Sequence, residues 1–247
     1  MGKLIYQPKG KAREYAPWAC NLFNGCSCQC SYCYNRHGRG KALLGKDDPT
    51  IKGGMNRVQA RALFNEELAK YKDPIIADGK GLFFNFVSDP FSEKTWRLNF
   101  NCALDAILYG IPVVFLSKSL PSGAFVDMFE RHKEMVKVGF TLTSCDKLEP
   151  GAIWNSQRIE VMRCLNKLGV KTWASIEPVI SINQSFRMIQ EAHLVGCREF
   201  KIGLLSGKKN YTPDEVEAFM LAVDLTYGGD CEIYWKESVI NYIYKKK

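Results

Sequence analysis

The chain has 247 residues, 46% hydrophobic and 24% charged, an ordinary composition for a soluble globular protein and enough length to bury a core without disulfide or metal staples. No apolar stretch approaches a membrane span, since even the run from Ile111 to Leu116 soon meets Lys118. The net charge of +8 is uneven: residues 1–60 hold ten Lys/Arg against three Asp/Glu, the tail Lys245-Lys246-Lys247 adds +3, and the remainder is slightly acidic, so a polyanion footprint or merely a solvated basic edge is expected at those two places.

Residues 1–17 form a basic lead-in, followed by a first strand near 18–23. Next comes Gly25-Cys26-Ser27-Cys28-Gln29-Cys30-Ser31-Tyr32-Cys33-Tyr34. Cys26, Cys30 and Cys33 stand at C-x3-C-x2-C spacing, with an aromatic residue before the third. A [4Fe–4S] cube normally takes four thiolates, and three close ones without a local fourth leave one iron open to something other than protein. Cys28 lies off the spacing and is read as a non-ligand. A structural zinc site usually needs a second Cys or His pair, which is missing, and the C-x2-C-x2-C-x3-C run of bacterial ferredoxins is absent. A disulfide framework suits small secreted domains, and no signal-peptide pattern opens this chain. Ten cysteines without a pairing pattern point to a reducing cytoplasm.

Helical spacing of Val58, Ala62, Leu63 and Leu68 predicts a helix over 57–70. The apolar run at 81–87 reads as a strand buried on both faces. Helix at 93–109, strand at 112–116, helix at 124–132, strand at 136–143 and helix at 156–168 follow, with Gly110 and Gly169 as stops. Strand at 170–176, helix at 183–195 and strand at 199–205 continue the series. Thr212 caps a further helix that has Pro213 in its first turn, and 231–235 reads as a strand before a last short helix. Strands alternating with helices imply parallel strands with right-handed crossovers. The expected fold is α/β, a partial TIM barrel of (β/α)6 type with the cysteine loop after its first strand. One domain spans 1–247, with the barrel core at 18–205 and an extension at 206–247. Ligands meet the C-terminal ends of such strands, where the chain places Ser88, Asp89, Ser117, Lys118, Thr141, Thr143, Ser144, Glu177 and Ser206. No Ser/His/Asp order, P-loop or H-E-x-x-H appears, so a hydrolase has little support. His37 lies beside the cysteine loop, whereas His132 and His193 sit on predicted helices.

The cysteine loop closely resembles that of radical S-adenosylmethionine (SAM) enzymes. Together with Phe86-Val87-Ser88-Asp89-Pro90-Phe91, Leu116-Ser117-Lys118-Ser119, Leu148-Glu149-Pro150-Gly151 and Gln157-Arg158-Ile159-Glu160, it resembles the spore photoproduct lyase-related group over about residues 18–205. The resemblance implies a [4Fe–4S] cluster on Cys26, Cys30 and Cys33 and SAM on its open iron. It places Tyr32 at the adenine through its backbone, and Ser88 and Lys118, with Asp89 alongside, at the methionine end. Thr141 and Thr143 match the SAM-contacting strand position and lie on one face of their strand. Glu177, at the next strand end, is placed by physical inference near the ribose hydroxyls. Photoproduct lyases carry a hydrogen-donating cysteine two residues before the Ser-Asp pair, where this chain has Phe86, so repair of that lesion is not expected. Cys145 is a candidate thiol from another side; its alternative is a small packing residue.

The expected activity is reductive SAM cleavage and hydrogen-atom abstraction, with a one-electron donor such as flavodoxin or ferredoxin. A nucleic acid or nucleotide is the first substrate class considered. The alternatives are a peptide or small metabolite, and a non-enzymatic Fe–S or zinc module.

Overall fold

The apolar runs between the helices pair side by side as parallel strands. A computed structural model describes residues 2–38, 40–207 and 209–244, so Arg39 and the Lys245–Lys247 tail lie outside the described residues. The strands in chain order are β1 (Ile5–Tyr6), β2 (Ala19–Cys20), β3 (Phe23–Asn24), β4 (Thr50–Ile51), β5 (Leu82–Phe84), β6 (Val113–Ser117), β7 (Val136–Thr141), β8 (Lys171–Val179), β9 (Glu199–Leu204) and β10 (Glu232–Trp235). The α-helices are α1 (Tyr34–His37), α2 (Lys41–Leu44), α3 (Arg57–Asp78), α4 (Trp96–Leu108), α5 (Gly123–Arg131), α6 (Asn155–Lys167), α7 (Ile182–Leu194), α8 (Pro213–Tyr227) and α9 (Glu237–Tyr244). One sheet runs β1-β2-β5-β6-β7-β8-β9-β10, parallel throughout except for the antiparallel β1–β2 pair, and β3–β4 form a separate antiparallel ribbon. This is the expected mostly parallel, partial (β/α) barrel. The sheet also takes strands from residues 5–6 and 232–235, on either side of the 18–205 span.

Alternation along the strands divides the apolar residues between two cores. Val113 and Phe115 of β6 are buried in the large core with Phe84, Phe125 and Phe129. Val114 and Leu116 turn the other way, toward a small core of Ala16, Ala19, Phe83 and Trp173 inside the barrel. Gly139 faces Leu116 and Trp173 in register. A Cβ there would lie 2.2 Å from the indole ring, so only glycine leaves room for the Trp173 side chain that fills the barrel floor.

Several boundaries depart from the pattern reading for identifiable reasons. Helix α3 runs through Pro74 to a left-handed Gly79 (φ 75°), keeping Ile75 buried. The run expected as a strand over 81–87 stops at Phe84 because Asn85 adopts φ 62°. The Asn85 Oδ1 accepts from Leu22 N (3.1 Å) and its Nδ2 donates to Asn99 Oδ1 (2.6 Å), which holds the turn. Strand β7 ends at Thr141, short of the expected 143. Strand β8 extends past the expected end at 176 to Val179, with an irregularity in its pairing to β9 between Ile176 and Val179.

The 3-10 turn at Gly10–Glu14 spans the gap between the two edges of the sheet. Lys201 of β9 donates to the Tyr15 carbonyl (2.9 Å) and the Glu14 carbonyl (3.3 Å), and Glu237 N donates to the Glu14 carboxylate (2.7 Å). The basic lead-in is thereby fixed across the mouth of the barrel. No helix among the described residues is long and apolar enough to cross a membrane.

Candidate active site

A cavity of about 510 Å³ opens at the C-terminal ends of the strands. The loop after β3 forms one wall, with Cys26, Cys28, Cys30 and Cys33 all lining the space. Three backbone bonds hold that loop to its neighbours: Cys26 N to Lys46 O (2.9 Å), Ser31 N to Leu148 O (2.9 Å) and Gly151 N to Cys28 O (3.1 Å). Gln29 turns the chain in the left-handed region at φ 53°, and all ten cysteines are free thiols.

The thiols are not equivalent. The Cys28 thiol bonds to Asp89 Oδ2 (3.5 Å). A hydrogen bond from Cys28 draws the pKa of Cys26 down to about 7, whereas the same bond, then burial, pushes Cys28 well up. Burial also raises Cys30, although the Lys118 charge opposes it. Lys118 projects from the end of β6. Burial disfavours its charge, but Cys30, Glu149 and Cys28 outweigh that effect and hold its pKa above the usual value. Its ammonium makes no ion pair with a described residue and stands 5.8 Å from the Tyr32 ring centroid. The Ser88 hydroxyl, also on the cavity wall, is buried without a hydrogen-bond partner.

Asp89 is occupied. It accepts from Ser117 Oγ (2.7 Å), Phe91 N (3.0 Å) and Lys118 N (2.7 Å) in addition to Cys28. It therefore ties the end of β6 to the cysteine loop rather than pointing a free carboxylate at a ligand. Tyr32 donates its hydroxyl to Glu149, and Glu149 pairs with Arg158 at 2.6 Å with both side chains fully buried. Arg158 also donates to the Thr141 carbonyl (2.7 Å) and the Ile153 carbonyl (2.6 Å). Glu149 and Arg158 lie in two of the sequence blocks that carry the resemblance, which by itself assigns them no task. Their placement shows that they buttress the loop that carries the thiols.

Thr141 lines the cavity and Thr143 does not. Because β7 ends at Thr141, the alternation that would have put both on one face does not reach Thr143, whose N–H instead bonds Asn155 Oδ1 (2.9 Å). Cys145 is half-buried and is not part of the cavity wall; the chain turns away at Ser144, which has φ 61°. Phe86 lines the cavity and stacks on Phe83 with centroids 4.3 Å apart.

Glu177 lines the opposite wall within β8. Its Oε2 accepts from Lys236 Nζ (2.7 Å) and from the Tyr15 hydroxyl, and that hydroxyl lies 2.8 Å from Ser175 Oγ. Burial, then the Glu177 charge, raises the Tyr15 pKa well above normal. Neither Tyr15 nor Lys236 was singled out from the sequence. They reach the site from segments before β2 and after β10, which no local pattern links to the barrel. Of the basic residues within 1–60, Lys9 and Lys11 of the lead-in line the cavity, whereas Arg36, after the cysteine loop, pairs with Asp47.

Among the described residues, ligand atoms close enough to share one ion occur at His193, Asp230 and Cys231. Asp230 is already paired there with His193 (2.9 Å) and Arg198 (3.2 Å).

No family model and no curated protein matches the chain. Solved structures do. SuiB of Streptococcus suis bound to S-adenosylmethionine aligns with a TM-score of 0.68 at 12% identity, over 92% of this chain and 52% of SuiB. SuiB bound to the precursor peptide SuiA gives 0.68 at 13% over 92% and 50%. A mutant of spore photoproduct lyase gives 0.66 at 16% over 92% and 79%. The chain thus has the fold of these proteins, spanning about half the length of SuiB and about four fifths of the lyase.

Proposed function

We propose that the chain is a radical SAM enzyme whose [4Fe–4S] cluster sits on Cys26, Cys30 and Cys33. The observation that carries this reading is the pairing, in one cavity, of three spaced thiols with Lys118, a half-buried cation that forms no ion pair with a described residue, and Ser88, a buried hydroxyl without a partner. Partial burial without a counter-ion disfavours the Lys118 charge, and a buried hydroxyl without a partner is costly; a carboxylate-bearing ligand would satisfy both. When bound, the cluster supplies the electron that splits SAM and so generates the radical that removes a hydrogen atom from substrate.

The protein's own residues hold and exclude. Lys118 and Ser88 take the carboxylate end of SAM, while Asp89 keeps the Lys118 backbone in place. The Tyr32 backbone and Thr141 flank the rest. Glu177 is shared with Tyr15 and Lys236, so its carboxylate binds a ribose hydroxyl only through the lone pairs that those donors leave. The stacked Phe83 and Phe86 and the Trp173 floor keep water from the reacting end. Cys28 stays outside the ligand set because its thiol is already bonded to Asp89.

For the substrate, Lys9 and Lys11 on the cavity wall favour an anionic group, and a nucleic acid or nucleotide is the class we assign. The structural neighbours include a lyase complexed with dinucleoside spore photoproduct and a SuiB bound to a peptide, so the peptide reading is the second. Phe86 argues against repair of the thymine photoproduct itself.

Lys118→Ala tests the SAM site. Loss of a hydrogen bond to a charged group is worth about 1.5–3 kcal/mol, so SAM should bind the reconstituted variant about tenfold more weakly or worse. An unchanged dissociation constant at full iron content would exclude Lys118 from the site.

A further inference from the structure

Two openings reach the three thiols. One is the large cavity; the other is a crevice of about 20 Å³ on the outer side of the loop, walled by Gln29, Arg36, Leu44, Gly45 and Lys46. A space of that size holds about one water molecule. No substrate can enter through it, but an electron needs only proximity. Lys46 is one backbone hydrogen bond from Cys26 (2.9 Å), so anything docked at this crevice lies closer to the proposed cluster than anything at the strand N-termini.

The surface around the crevice has a definite charge. Asp47 and Asp48 are neutralised by Arg36 and by Lys94. Lys41 and Lys46 are exposed and form no ion pair among the described residues. Between them Leu43 is 52% exposed. An apolar centre with a cationic rim suits a small, transient interface with an acidic partner.

We infer that the face made by α1, α2 and the Gly45–Lys46 turn is the docking surface for an acidic one-electron carrier protein. This rests on the cluster reading of the preceding section. In the step served by this face, the reduced carrier loses one electron and the cluster gains it; no bond forms or breaks and no proton moves. Substrate and electron thus reach the thiols by different openings.

The test uses an acidic bacterial flavodoxin as the probe, with the reconstituted full-length protein and its Lys41→Glu/Lys46→Glu variant. At low salt the double reversal should weaken flavodoxin binding by about tenfold or more, and the difference should shrink as salt screens the charges. Cluster reduction by flavodoxin should slow in parallel, whereas reduction by dithionite, which needs no docking face, should not change. Lys80→Glu/Lys167→Glu, at the other end of the barrel, should match wild type in all three measurements. Flavodoxin binding untouched by the Lys41/Lys46 reversal would overturn the docking face. So would a variant that loses salt-sensitive nucleic-acid binding while keeping the carrier, because the face would then belong to substrate. A wild-type protein that holds no reducible cluster would instead overturn the underlying function.

Discussion

Replacing Gly151 with alanine should strip the protein of its cluster while leaving the barrel folded. A Cβ at that position would lie 1.9 Å from the Ser27 carbonyl oxygen and 3.1 Å from the Cys28 carbonyl carbon. Both are backbone atoms in the middle of the cysteine loop, and neither can rotate aside as a side chain would. Overpacking of this kind typically costs about 1–3 kcal/mol, and here the strain falls on one loop. The least costly relief is to push the loop away from the Glu149–Gly151 segment, which breaks the Gly151 N to Cys28 O bond and spreads Cys26, Cys30 and Cys33. Iron bound after anaerobic reconstitution should fall severalfold with little change in melting temperature. Gly123→Ala, where a Cβ meets nothing within 4 Å, should bind iron as wild type does. Wild-type iron in Gly151→Ala would show that the loop does not need this close approach.

The second large effect is on stability. Arg158→Ala removes one partner of a fully buried ion pair and leaves the Glu149 carboxylate without its counter-charge, a change worth about 3–5 kcal/mol. It also leaves the Thr141 and Ile153 carbonyls without their donor. Urea unfolding should show the loss as a lower midpoint. The double variant Glu149→Gln/Arg158→Met should recover much of it, because the unpaired charge is then gone. A single variant within about 0.5 kcal/mol of wild type, the usual range for surface changes, would mean that the pair contributes nothing to the wall.

What could be read from the chain followed from periodicity and spacing. The helix and strand alternation came from apolar periods of 3.6 and 2, and the three thiols from C-x3-C-x2-C, both local properties. The structure departs from that reading where long-range contacts decide. Strands β1, β3 and β4 have two residues each, too short for any period, and they exist because a neighbouring backbone is at hand, as where Lys52 N bonds Leu22 O (2.9 Å). Asn85 cuts a convincing apolar run because its side chain finds Leu22 and Asn99, both distant in sequence. Tyr15 and Lys236 join the site only because the ends of an incomplete barrel must be bridged. Glu149 and Arg158 were visible as residues, but their task depends on which loop lies over them.

The central claim is that Cys26, Cys30 and Cys33, without Cys28, hold a cluster that cleaves SAM. Its most direct test is 5′-deoxyadenosine formation after anaerobic reconstitution and chemical reduction, measured for wild type, Cys30→Ala and Cys28→Ala with iron content in parallel. The account predicts 5′-deoxyadenosine from wild type and from Cys28→Ala, and neither iron nor product from Cys30→Ala. Iron-loaded wild type that releases no 5′-deoxyadenosine, or a Cys28→Ala variant as empty as Cys30→Ala, would contradict it.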